Sequence, residues 1–169
     1  DSRQSRGLGD VYKRQRLTNV KSEAFGREAT VQGIDLKWNR DEHNQFMAQI
    51  LHSDIKQDPN ELNNYQLVDE QDLAGWVNWS YSPSDEWSHA VYYSHYGDQF
   101  DMNDMGYMRR NGFDEFYAYH RHDRLQYDQE SSLLSSSTEF DYSYAEKTQG
   151  QRLYIWSEIN YEWIFKTTR

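Results

Sequence analysis

The chain has 169 residues, no cysteine and a formal net charge of −10 at pH 7. The acid excess argues against a nucleic-acid partner, because phosphate binding needs a basic surface, and the missing thiols exclude a disulfide framework or a thiolate metal site. Aromatic residues make up 16% of the chain at a mean hydropathy of −1.12. Tyr and Trp, more than Leu, Ile and Val, must therefore supply its apolar surface, and no run approaches the ~18 apolar residues of a membrane-spanning helix.

The N-terminal segment stands apart. Ser5–Gln15, SRGLGDVYKRQ, resembles the translation of a transposon-based sequencing adapter and has no period-two pattern. Residues 1–15 are accordingly expected to be adapter-derived and disordered, pairing with no strand and packing on nothing. Residues 16–28 read as a polar lead-in, and residues 29–169 as a fragment of one β domain.

Seven strands follow from alternation. The first, about Ala29 to Asn39, sets Ile34, Leu36 and Trp38 on one face and Asp35, Lys37 and Asn39 on the other. It turns at Arg40–His43 into a second, about Asn44 to Ser53, which carries Phe46, Ala48 and Ile50. A long polar connection, Asp54 to Gln71, precedes a third strand with Leu73, Gly75, Val77, Trp79 and Tyr81 on one side. Turn formers at Ser82–Glu86 lead to a fourth, Trp87 to Tyr96, in which Trp87, His89, Val91, Tyr93 and His95 alternate with Ser88, Ala90, Tyr92, Ser94 and Tyr96. The fifth, about Phe113 to His122, is entered through the segment FDMNDMGYMRRNG. A Ser-rich sixth runs from about Gln126 to Ala145. The seventh puts Leu153, Ile155, Ile159, Tyr161, Trp163 and Phe165 opposite Arg152, Glu158, Asn160, Glu162 and Lys166.

Such strands fit a barrel with an apolar, aromatic outer face and a polar lumen, which needs few aliphatic residues and uses Tyr and Trp as interfacial girdles. The short turns leave little room for crossover helices, so the expected fold is all-β, an antiparallel meander forming part of a larger barrel. A soluble antiparallel sheet with one solvated face fits the alternation too.

Around Asp101–Arg110 the chain resembles a bacterial family, domain of unknown function 5916. The matching positions are Asn103, Asp104, Met105, Gly106, Tyr107, Met108, Arg109 and Arg110, and the earlier Gly33-Ile34-Asp35 is also similar. The resemblance implies the C-terminal outer-membrane barrel of proteins that carry an N-terminal module similar to family 9 carbohydrate-binding domains. It covers about Val31 to Phe165. That module lies outside this sequence, so no sugar-binding residue carries over.

Read for its chemistry, the same segment offers Asp101, Asn103, Asp104, Tyr107, Arg109 and Arg110 as candidate binding residues. Asn and Asp favour turns, Gly106 permits positive φ, and the arginines are close enough to Asp98, Asp101 and Asp104 for ion pairs. Calcium would use the same carboxylates, but the spacing is not that of an EF-hand and the arginines oppose it. His120-Arg121-His122 places two imidazoles on one strand face with no third ligand evident from sequence, and His89 and His95 lie too far apart to chelate as a local pair. Ser135–Ser137 has no nucleophile-elbow glycines, and there is no phosphate loop or dinucleotide fingerprint.

The expectation is a non-enzymatic outer-membrane component of a Gram-negative bacterium, with no metal and no cofactor. Its partners would be outer-membrane lipid and carbohydrate ligands that bind or pass. A soluble β-rich carbohydrate-binding or glycosidase-associated domain is the alternative.

Overall fold

The computed structural model describes residues 10–22, 26–58, 68–103, 111–124 and 131–166. They form one sheet of eight antiparallel strands, each paired with its sequence neighbours. The strands are β1 (Val11–Ser22), β2 (Arg27–Asn39), β3 (Asn44–Gln57), β4 (Val68–Ser84), β5 (Trp87–Tyr96), β6 (Phe113–Arg124), β7 (Leu133–Lys147) and β8 (Arg152–Phe165). No helix occurs among the described residues, so the all-β meander stands, with one strand more than the alternation predicts.

The extra strand is β1. Val11 to Ser22 pairs along β2 from Trp38 to Arg27, so residues 11–15 are paired and the polar lead-in is largely strand. The free edge of β2 explains this, because its unpaired N–H and C=O groups accept any extended segment. Val11 and Tyr12 nonetheless remain exposed on it.

The connection expected between Asp54 and Gln71 is shorter than its polarity suggests. β3 continues to Gln57 and β4 starts at Val68, because cross-strand polar pairs satisfy the strand ends. Asp54 faces Gln71, whose Nε2 donates to Asp54 Oδ2 at 3.3 Å. Similarly, β4 runs to Ser84 through a register shift after Tyr81.

The hairpin turn at 40–43 is built around one carboxylate. Asp41 Oδ1 accepts from the backbone N–H of His43 at 2.9 Å and of Asn44 at 2.7 Å, and from Asn44 Nδ2 at 2.9 Å. The Asn44 side chain, ahead of the two backbone donors and Arg40, holds the Asp41 carboxyl below its ordinary range against the opposing effect of burial. A carboxyl depressed on folding contributes stability above its unfolded value, near pH 4, that is lost as pH falls through the folded one. Hairpin amides at 43 and 44 should therefore lose hydrogen-exchange protection below about pH 4, and Asp41→Ala should remove this dependence.

Register fixes two unlike faces. Ile34, Phe46, Trp79, Val91, Phe116, Phe140 and Ile159 share one face, as the pairing of successive strands requires. The exposed large apolar side chains lie on this face, apart from Tyr12, Trp156 and Ile164 on the edge strands and Leu134 beside a register shift. The opposite face holds the buried residues: Ala29, Ser53, Ile55, Ala74, Ser94, Asp141, Ser143 and Ala145. Most are small. β8 keeps the predicted alternation with one exception. A shift after Ala145 sets Arg152 against Glu146, which takes it off the face shared by Glu158 and Glu162.

Candidate functional site

The polar face carries a continuous belt of side-chain contacts that no single strand reveals. Arg16 Nε meets Asp35 Oδ2 at 3.1 Å. Gln49 Nε2 donates to Asp35 Oδ1 at 2.6 Å, and Trp76 Nε1 donates to Gln49 Oε1 at 3.1 Å. The Trp76 ring stacks on Tyr92 with centroids 6.2 Å apart. Tyr92 stands directly opposite Tyr117, whose hydroxyl donates to Asp141. Six steps thus cross from β1 to β7, five of them side-chain contacts and one the Tyr92–Tyr117 strand pairing.

Tyrosine–carboxylate pairs extend the belt. Tyr119 OH donates to Glu139 Oε2 at 3.3 Å, and Tyr154 OH donates to Glu115. Arg121 Nε donates to both oxygens of Asp123, at 2.9 and 2.7 Å, and its Nη1 lies 3.7 Å from Glu139. This arrangement follows from period-two alternation: every member occupies the position that a strand turns away from the apolar face.

One end of this face is closed by the segment after β5. Phe100 is fully buried, edge-on to Tyr96 at 6.1 Å, and Tyr96 stacks on Phe113 at 4.9 Å. Past Phe100 the chain crosses back over β4 and β3. Asp101 N donates to Ser53 Oγ at 3.3 Å, and Arg27 Nη2 of β2 reaches Asp101 Oδ2 at 3.1 Å. Asp101 Oδ1 accepts from Asn103 N at 2.8 Å and from Asn103 Nδ2 at 2.6 Å. Asn111 Nδ2 ties the returning chain to the carbonyls of Asp98 and Phe100 at 2.8 and 3.2 Å.

Gly112 permits that return. It has φ of +66°, and a Cβ there would sit 2.4 Å from Asp98 Oδ1. Gly112→Ala is expected to destabilise the fold by about 1–3 kcal/mol, read as a lowered denaturant midpoint.

Of the sequence-predicted site residues, Asp101 and Asn103 come together against Arg27 and Ser53. Asp104, Tyr107, Arg109 and Arg110 lie outside the described residues. The belt residues Arg16, Asp35, Gln49, Trp76, Tyr92, Tyr117 and Asp141 were not singled out by motif. The signal that finds some of them is the hairpin at 40–43, whose register alone sets Asp35 opposite Gln49. Among the described residues no three His, Asp or Glu side chains surround a common point as metal ligands.

An all-β meander with a segregated apolar face and a polar belt, closed at one end by an inward segment, defines the class of the domain. Residues 17–169 match the family model described as domain of unknown function (DUF5916), and the chain belongs to that family. No curated protein and no solved structure matches it.

Proposed function

We propose that this chain is a segment of an integral outer-membrane β-barrel, with its apolar face to lipid and its polar face to a water-filled lumen. The observation that carries the reading is the inversion of the sheet. Large apolar side chains are exposed on one face, while the buried residues of the other are mostly small or polar. In water such a face would favour association. In a bilayer it is the face a barrel needs.

Dimensions agree with this. A tilted spanning strand needs about 9–11 residues, and β4 and β5 have 17 and 10. Connections at 40–43 and 85–86 are short, whereas those at 58–67 and 97–112, on the opposite end, are long. That resembles the division between periplasmic turns and outer loops, although the short connections at 23–26 and 148–151 share the end of the long ones. By this reading the segment Gly97–Asn103 folds into the lumen from the outer end. A carbohydrate ligand suits the belt, because stacked Trp76 and Tyr92 offer ring faces beside the planar polar groups of Gln49 and Asp35. The family's implied upstream sugar-binding-like module points the same way. We read the domain as non-enzymatic: Asp35, Glu115, Glu139 and Asp141 each accept a bond from a Gln, Tyr or Arg side chain, a binding and bracing arrangement.

Envelope fractionation of cells expressing the full-length gene tests the proposal. The protein should stay in the outer-membrane pellet after carbonate extraction. Recovery in the soluble periplasmic fraction would favour a soluble carbohydrate-binding domain.

A further inference from the structure

Beside the short turn at 85–86 the apolar face carries a cluster of histidines. On β6, Phe116 and Ala118 are followed on the same face by His120 and His122, and the register sets His89 of β5 opposite His120 and Trp87 opposite His122. Sequence alone leaves His120 and His122 without a third ligand. The pairing of β5 with β6 brings His89 to His120, although the three rings do not yet surround a common point.

His89 and His120 already converge. Their Nδ1 atoms are 2.8 Å apart, with ring centroids at 4.6 Å. One imidazole donates and the other accepts, so a single proton lies between the two nitrogens. Aromatic rings flank both: Tyr81 stacks on His89 at 5.8 Å, and Trp87 lies tilted against His120 at 5.4 Å. The ring of His122 rests on Trp87 at 3.9 Å, two residues along the strand from His120 and on its face.

We propose that His89, His120 and His122 form a cross-strand binding site for a divalent transition-metal ion of the zinc or copper class. The ion takes the place of the proton between the two Nδ1 atoms, and that proton moves to Nε2 of the donor ring, so both ligands stay neutral. Two nitrogens each about 2.0–2.1 Å from a tetrahedral ion lie roughly 3.3 Å apart, so the pair opens by about half an ångström. His122 completes a three-imidazole set by swinging off the Trp87 ring, and water fills the fourth position. Two histidines alternating on one strand and a third from the adjacent strand present three neutral nitrogens on one side of a sheet, a donor set that suits zinc and copper. His122 stands two residues from the end of β6, where solvent has access. The site does not depend on what covers the rest of the apolar face.

Copper(II) titration of the purified full-length protein in metal-free buffer, followed by electron paramagnetic resonance, tests this. One copper per chain should bind with hyperfine splitting from two or more imidazole nitrogens, and zinc should displace it. His89→Ala and His120→Ala should each weaken binding at least tenfold, and His122→Ala by less, while His52→Ala leaves it unchanged. His89→Gln, which keeps a hydrogen-bonding group opposite His120, guards against loss of fold. It should retain the wild-type melting temperature without metal yet lose the rise that zinc produces. A spectrum with a single nitrogen ligand, or equal copper affinity in wild type and His89→Gln, would overturn the proposal.

Discussion

Ile159→Lys in the full-length protein is expected to prevent most of it from assembling in the outer membrane. Ile159 lies midway along β8, faces Phe140 across the β7 pairing, and is 54% exposed. On a lipid face at the bilayer midplane a lysine costs about 2–4 kcal/mol, falling to about 0–1 near the interfaces. On a water-covered surface the same change would fall within about 0.5 kcal/mol. The two environments therefore give very different results. Phe165→Lys at the end of the strand should be mild, and Glu158→Gln on the opposite face should be tolerated. Assembly is read from the amount of heat-modifiable protein in outer-membrane fractions. Equal assembly of Ile159→Lys and Phe165→Lys would count against a lipid-facing surface.

The second large effect concerns the inward segment. Phe100 is a fully buried aromatic ring, so Phe100→Ala is expected to cost about 3–5 kcal/mol in lost transfer energy and a residual cavity. The ring is the apolar anchor of a segment otherwise held by polar contacts. Its loss should also release Asp101 from Arg27 and Ser53. A denaturant midpoint shifted by far less would mean that the segment is held by the Arg27–Asp101 contact instead. Phe100→Leu, which keeps most of the apolar volume, should recover most of the stability.

The strands and their faces were legible because alternation has a period of two and each turn signals itself. The fourth expected strand and the observed one share their ends, Trp87 and Tyr96. Ile155, Ile159 and Tyr161 share the face assigned to them. Strand ends were less legible. Polar residues such as Asp54 and Gln71 read as loop, but pair with each other and extend the ladder. β1 is not legible in sequence because pairing of residues 11–15 depends on the open edge of β2, not on any pattern of their own. Arg152 lies on the face opposite to the expected one because a register shift reverses alternation locally without leaving a mark in sequence. At the candidate site, turn chemistry pointed to Asp101 and Asn103. Their partners Arg27 and Ser53 come from strands far away in the chain, and the belt from Arg16 to Asp141 exists only through cross-strand register.

The most direct test of the central claim uses the absence of cysteine in these 169 residues, with any cysteine elsewhere in the full-length protein first replaced by serine. Single cysteines placed in turn along β8 from Leu153 to Phe165 can be labelled with a water-soluble maleimide in intact outer membranes of cells expressing the full-length gene. Positions 158, 160 and 162 should react through the lumen. Positions 155, 159 and 161 should stay unlabelled until detergent replaces lipid. Labelling of both sets at similar rates without detergent would contradict the assignment of the apolar face to the membrane.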